Sequence, residues 1–208
     1  MSNVAVFDQN AGAGVLAESP LSHVSGRKGG SSPGVILREK AFMGYLTLRG
    51  NAADAAFCEG VEQVLGMPLP TAPMALHQNT QKGSSILWIS PDEWLILLPG
   101  GTEYETELAL RAELSGHFAV VNVSGGLTLL TVTGPDARHL LHKSTGYDVH
   151  PRNFPVGKGV TTTFAKATAI IRRPSETTWE LVVRRSFADY CYRWLVDASR
   201  EFGLDAEI

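Results

Sequence analysis

The sequence predicts an α+β fold, a pseudo-duplication in which two β-α-β-β-α units share one antiparallel sheet with helices packed on a face. Three observations carry that prediction. The order strand, glycine stop, helix, hairpin, helix is readable twice along the chain. Gly50 and Gly134 stand 84 residues apart, and Trp94 and Trp179 stand 85 apart, so one offset aligns both halves. Under it, Tyr45-Leu46-Thr47-Leu48-Arg49-Gly50 lies over Leu129-Leu130-Thr131-Val132-Thr133-Gly134. Each half is too small to build a core alone, so residues 35–208 are expected to form a single domain with halves near 35–115 and 118–208.

The elements follow in order. Residues 1–34 are rich in Gly and Ser without a sustained apolar period. Such a stretch buries too little apolar area to offset its ordering entropy. It is expected to be an arm, either flexible or ordered by a partner. Val35-Ile36-Leu37-Arg38-Glu39 reads as a strand, and Tyr45 to Arg49 as another with Leu46 and Leu48 alternating. The spacing of Ala53, Ala56, Phe57, Val61, Val64 and Leu65 predicts a helix over 52–65, ended by Gly66 and barred from continuing by Pro68 and Pro70. Two apolar runs flanking Ser90-Pro91-Asp92-Glu93 predict a hairpin, because Pro91 presets the turn. A second helix is expected over 102–114.

In the second half, Val120 to Val123 is expected to pair with Leu127 to Val132 across a tight Gly125-Gly126 turn. Gly134-Pro135-Asp136 opens a helix to about Lys143, with Pro135 near the first helical position. Residues 161–165, 167–172 and 179–183 read as extended. A last helix is expected over 186–202, with Ser186 as N-cap and Gly203 after it.

The 208 residues carry 18 Lys+Arg against 21 Asp+Glu, a net charge of −3, and are 44% hydrophobic. That charge gives no footprint for nucleic acid. No apolar run reaches the length of a membrane span, and the N-terminus lacks the basic region of a secretory signal. Only Cys58 and Cys191 occur, both in helical patterns, which fits reduced thiols and a cytoplasmic location.

The motif search yields no catalyst. Gly12-Ala13-Gly14 lacks the strand, third glycine and helix of a dinucleotide site, and Gly157-Lys158-Gly159 lacks the upstream glycine and the following Ser/Thr of a phosphate loop. His139 and His142 are spaced i, i+3 on one helix face, without further ligands at metal spacing. The sequence therefore names no catalytic, cofactor-binding or metal-binding residue. The candidates that remain concern an interface. Arg172-Arg173 and Arg184-Arg185 end two strands joined by a turn, and either converge as a guanidinium cluster or are solvated strand ends. Trp88 and Trp94 flank one hairpin, and serve either as core or as an aromatic anchor.

Several strings resemble blocks of the γ-subunit family of heterotetrameric sarcosine oxidase. They are Ile86-Leu87-Trp88-Ile89-Ser90-Pro91-Asp92-Glu93-Trp94-Leu95, and the run from Asn122-Val123-Ser124-Gly125-Gly126 through Gly134-Pro135-Asp136-Ala137. Leu140 to Ser144, Asp148 to Phe154 and Arg185 to Tyr190 complete the set. The resemblance runs from about Val35 to the C-terminus. It places the chain in a larger folate-binding superfamily with the T-protein of the glycine cleavage system. Asn122 stands where T-proteins usually carry Asp, the chain ends where T-proteins continue, and Thr145-Gly146 stands where γ subunits often show Cys-Pro.

The resemblance implies a non-catalytic structural subunit of an αβγδ oxidoreductase. That enzyme oxidatively demethylates sarcosine with O₂, giving glycine, hydrogen peroxide and 5,10-methylenetetrahydrofolate. It implies no cofactor in this chain, with FAD and FMN in or near the β subunit, NAD and the tetrahydrofolate site in α, and zinc in δ. The implied partners are the α, β and δ subunits, with α in closest contact, and neither nucleic acid nor membrane. The competing expectation is a stand-alone tetrahydrofolate-binding, one-carbon transfer domain, whose arginine pairs would hold the glutamate tail.

Overall fold

The computed structural model describes residues 17–30 and 32–208. The remainder of the expected arm, with its Gly12-Ala13-Gly14 fragment, lies outside the described residues.

Among the described residues, four helices and eleven strands form an α+β fold in four layers. The strands are β1 (Val35–Lys40), β2 (Gly44–Arg49), β3 (Leu76–Asn79), β4 (Ser84–Ser90), β5 (Glu93–Leu98) and β6 (Ala119–Asn122), then β7 (Leu127–Thr133), β8 (Lys158–Phe164), β9 (Ala167–Arg173), β10 (Thr178–Arg184) and β11 (Leu204–Glu207). The helices are α1 (Ala55–Leu65), α2 (Glu103–Glu113), α3 (Ala137–Ser144) and α4 (Ala188–Ala198). None of them is long and apolar enough to cross a membrane.

The expected single sheet is corrected to two. One runs β11-β1-β7-β10-β9-β8 and the other β3-β4-β5-β2-β6. All pairings are antiparallel except β1 with β11. The physical reason lies in β5 and β10. Trp94-Leu95-Ile96-Leu97-Leu98 is buried at every position, as is Trp179-Glu180-Leu181-Val182-Val183. A strand with one wet face alternates, whereas an unbroken buried run needs cover on both sides. Here helices cover one side and the opposite sheet the other. Helices α1 and α2 pack on Leu46, Leu48, Ile86, Trp94 and Ile96 of the smaller sheet. Helices α3 and α4 pack on Leu37, Leu130, Val132, Ile171 and Leu181 of the larger. Tyr45, Leu95 and Leu97 meet Leu129 and Val182 in the middle.

The duplication is present, and its halves exchange strands. β1 joins the sheet otherwise built from the second half, and β6 joins the sheet of the first half. The expected pairing of 120–123 with 127–132 is therefore corrected: β6 and β7 lie in different sheets, and a 3-10 turn over Ser124–Gly126 carries the chain between them. Register confirms the repeat. Leu48 faces Trp94 on one side and Val120 on the other, while Val132 faces Trp179 and Leu37.

Helix ends follow local chemistry. The Asp54 side chain accepts from the Ala56 N–H and starts α1 later than expected, and Gly66 ends it in the left-handed region at φ 69°. Ser186 sits in a 3-10 turn over Arg185–Phe187 and caps nothing; α4 starts at Ala188 and stops at Ala198, which leaves Gly203 to lead into β11. β3 and β11 were not expected, being four residues each with little alternation. Residues 17–30 lie against the larger sheet. Leu21 is buried in its core, and Arg27 exchanges backbone hydrogen bonds with Ala206 of β11 at 2.9 Å each way.

Gly134 holds φ 103°, and a Cβ there would strike the carbonyl of Gly34. Gly134→Ala is expected to destabilise the chain by at least about 2 kcal/mol in equilibrium denaturation. Gly125→Ala, whose Cβ meets open space, is expected to stay within about 0.5 kcal/mol.

Candidate functional site

The two arginine pairs do not converge. In an antiparallel hairpin the C-terminal ends of the two strands point in opposite directions, and the register sets Arg172 beside Glu180 rather than beside Arg184. Arg172 and Arg173 are buried, whereas Arg184 and Arg185 are exposed at the far end.

Arg172 faces the layer between the sheets. Its Nε and Nη2 donate to Glu180 Oε2 at 3.1 and 2.6 Å, and its Nη1 donates across the layer to Ser85 Oγ of β4 at 3.0 Å. Lys40 Nζ reaches Glu180 Oε1 at 3.3 Å from the solvent side. Burial lowers the guanidinium's proton affinity from its ordinary value, and Glu180 opposes that shift. The neighbouring Tyr45 hydroxyl is buried without a hydrogen-bond partner among the described residues, and burial pushes its pKa up, with Arg172 opposing. Arg173 turns to the helix side, where it donates to the Phe154 carbonyl at 2.7 Å and to Glu176 Oε2 at 2.7 Å and lies over the Trp179 ring. These two arginines brace the interior.

The tryptophan pair is also internal. Trp94 is fully buried, donates from Nε1 to the Pro70 carbonyl at 2.7 Å and packs on Phe57. Trp88, opposite it on β4, is partly buried against the same core. Both point toward α1 and α2, because cross-strand neighbours share a face.

The features that do gather at the surface lie where the chain crosses between sheets. The 41–43 crossing and the Ser124–Gly126 turn flank a cavity of about 460 Å³ that Phe42, Met43, Gly101, Glu103, Leu127 and Arg185 help to line. Phe42 is 58% exposed and held at φ 58°, a conformation costly for a bulky residue. Glu103 Oε2 is buried without a hydrogen-bond partner among the described residues. A Cβ at Gly101, Gly125 or Gly126 would meet nothing within 4 Å, so the backbone there is bare. Arg185 donates to the Glu18 carbonyl at 3.1 Å, Arg184 makes no ion pair among the described residues, and Phe187 is 42% exposed in the same turn as Arg185. An exposed aromatic under strain beside cations and open backbone is the chemistry of a contact surface. The sequence singles out Arg184 and Arg185, whereas Phe42 and Phe187, in connections, carry no periodic signal.

Neither thiol is activated. Burial pushes the Cys191 thiol up to about 11 and also raises that of Cys58, opposite to the shift of a reactive cysteine. His139 Nδ1 lies 3.0 Å from Asp136 Oδ1, and its ring stacks on Phe202.

Removing one partner of the Arg172–Glu180 pair leaves a charge buried alone. Arg172→Met and Glu180→Leu are each expected to cost about 3–5 kcal/mol, and the double substitution much less than their sum, in a double-mutant cycle read by denaturation.

Residues 49–201 match the "Sarcosine oxidase, gamma subunit family". The sarcosine oxidase subunit gamma of Corynebacterium sp. (strain P-1) is 34% identical over 193 residues, covering 90% of this chain and 92% of the relative. A chain of the heterotetrameric sarcosine oxidase from Corynebacterium sp. U-96, solved in complex with pyrrole 2-carboxylate, superposes with TM-score 0.81 at 29% identity, covering 92% of this chain and 98% of its own. The glycine cleavage system aminomethyltransferase T from Bartonella henselae shares the fold, with TM-score 0.63 at 14% identity over 85% of this chain and 48% of that one. The chain belongs to the sarcosine oxidase gamma subunit family.

Proposed function

We propose that this chain is the non-catalytic γ subunit of a heterotetrameric sarcosine oxidase, docking on the folate-binding part of the α subunit through its crossing end. The complex then oxidises sarcosine with O₂ to glycine and hydrogen peroxide and passes the one-carbon unit to tetrahydrofolate. In this reading FAD, FMN, NAD, zinc and the folate site belong to the α, β and δ subunits. The carrying observation is the match to a chain of a heterotetrameric enzyme over 92% of this chain and 98% of that one.

The site geometry supports a bracing role. The strongest charged cluster, Arg172 with Glu180 and Lys40, is engaged in holding the sheets, and both thiols are shifted away from reactivity. The exposed Phe42 and Phe187, with Arg184 and Arg185, form an apolar and cationic end suited to an acidic, apolar surface on a partner.

The test is to purify the tagged chain alone and co-expressed with the other three subunits, and to follow sarcosine-dependent peroxide. Activity is expected only in the assembly, and turnover by the chain alone would overturn the reading. A Phe42→Ser, Arg185→Glu double variant is expected to weaken co-purification about tenfold or more at unchanged melting temperature; full retention of assembly would move the docking face elsewhere.

A further inference from the structure

Three of the four sheet edges meet another segment of the chain. At the outer edge of β11, Arg27 of the arm exchanges backbone hydrogen bonds with Ala206. The edges of β3 and β8 are joined to each other. The Leu76 N–H donates to the Gly157 carbonyl at 2.8 Å, and the Gly159 N–H to the Met74 carbonyl at 2.9 Å. β6 is the fourth edge, and among the described residues no strand lies beyond it. Such an edge is a row of unsatisfied donors and acceptors that proteins ordinarily cover.

The register says which groups are bare. The Val123 N–H donates to the Tyr45 carbonyl at 2.9 Å, so Val123 and, two residues back, Val121 bond toward β2. Val120 and Asn122 therefore turn their main-chain groups outward. Arg111 of α2 donates to the Val120 carbonyl. The Val120 N–H and both main-chain groups of Asn122 have no partner among the described residues. Val121 and Asn122 are exposed.

The duplication shows what fits there. Register equates β6 with β1, since Val120 faces Leu48 as Leu37 faces Val132. Outside β1 lies β11, parallel to it, with Val35 beside Leu204 and Leu37 beside Ala206. The Val35 N–H donates to the Gly203 carbonyl at 3.1 Å, on the side toward which Val120 points in β6. A second copy has no strand to give in this way, because its β11 is already paired with its β1. One difference sets the partner's chemistry. Val196 of α4 packs on the core that Leu204 and Ala206 join, whereas the residue 85 positions earlier is Arg111. Arg111 is half-exposed and shares its charge only with Glu107 among the described residues. A guanidinium beside the edge favours an acidic side chain on the incoming strand.

Resting on the reading that the chain works inside a heterotetramer, we infer that another subunit adds a strand to the outer edge of β6, parallel to it and carrying an acidic residue toward Arg111. The edge runs into the Ser124–Gly126 turn, so this strand is continuous with the docking end proposed above.

Hydrogen–deuterium exchange of the chain alone and within the co-expressed complex tests this. The Val120 and Asn122 amides are expected to exchange at least about tenfold more slowly in the complex. Asn122→Pro removes an outward N–H and spares the β2 ladder, while Asn122→Ala keeps that N–H and controls for the side chain's contacts with Ser124. The proline variant is expected to enter the complex about tenfold less well than the alanine variant. Arg111→Glu is expected to enter it less well than Arg111→Gln, and equal recovery of those two would overturn the acidic partner. Unchanged exchange at both amides in a complex that still forms overturns the added strand and leaves the subunit reading standing. Absence of any complex overturns the subunit reading and this inference with it. Concentration-dependent protection of β6 in the chain alone would show self-pairing and overturn the assignment to another subunit.

Discussion

Neither sheet can be completed from its own half of the sequence, and this exchange of first strands governs the rest of the architecture. β7 pairs on one side with β1, which arrives from the first half, and β2 pairs with β6 from the second. Folding of either half is therefore conditional on the other, with contacts at large sequence separation. The exchange forces two crossings between sheets, at 41–43 and 124–126, and both border the same cavity. They are also tied together: the Tyr45 N–H donates to Ser124 Oγ at 3.0 Å, and the Val123 N–H to the Tyr45 carbonyl at 2.9 Å. A chain that must change sheets cannot keep its ladder there. Exposed aromatic side chains and bare glycine backbone accordingly collect at that end.

The layer between the sheets breaks the repeat. Cross-strand pairs Leu87–Leu95 in the first half and Arg172–Glu180 in the second occupy equivalent places, each 85 residues apart. Apolar residues in both halves would have made a symmetric, oily layer with little to distinguish one sliding position from another. The ion pair reaches across to Ser85 and fixes the two sheets laterally. A buried pair is weak evidence for stability, since desolvation offsets much of its attraction. Its use is positional, because Arg172 Nη1 finds its acceptor across the layer only when β4 sits where Ser85 can accept.

The repeat was legible because its markers are residues that turns and packing demand: glycines after strands, tryptophans opposite them, and Pro91 in a turn. Element types and most boundaries followed from periodicity. The number of sheets did not, because the apolar run at 94–98 and the run at 179–183, broken only by Glu180, show strands without showing what covers their second face. Strand exchange is invisible to local pattern, since β1 and β6 look like any first strand. Of the two readings open to the arginine pairs, convergence fails for a geometric reason. Both end strands, and strands joined by a hairpin run in opposite directions. Trp88 and Trp94 fall in the alternation of their strands, and their burial was one of the two readings that pattern allowed. Phe42 and Phe187 sit in connections, where hydrophobicity has no period to reveal it.

A smaller cavity between the sheets, lined by Lys40, Ser85, Arg172 and Glu180 among others, adjoins the cavity at the crossing end. Met43 lines both, and Lys40, which stands over Glu180, is separated from the strained Phe42 by Ala41 alone. The exposed crossing and the charged layer are thus two sides of one connection. In the first half the equivalent layer position is filled by Leu87 and Leu95, with no charge to uncover. The duplication thus supplies a symmetric frame, and one substituted pair makes its two halves chemically unequal.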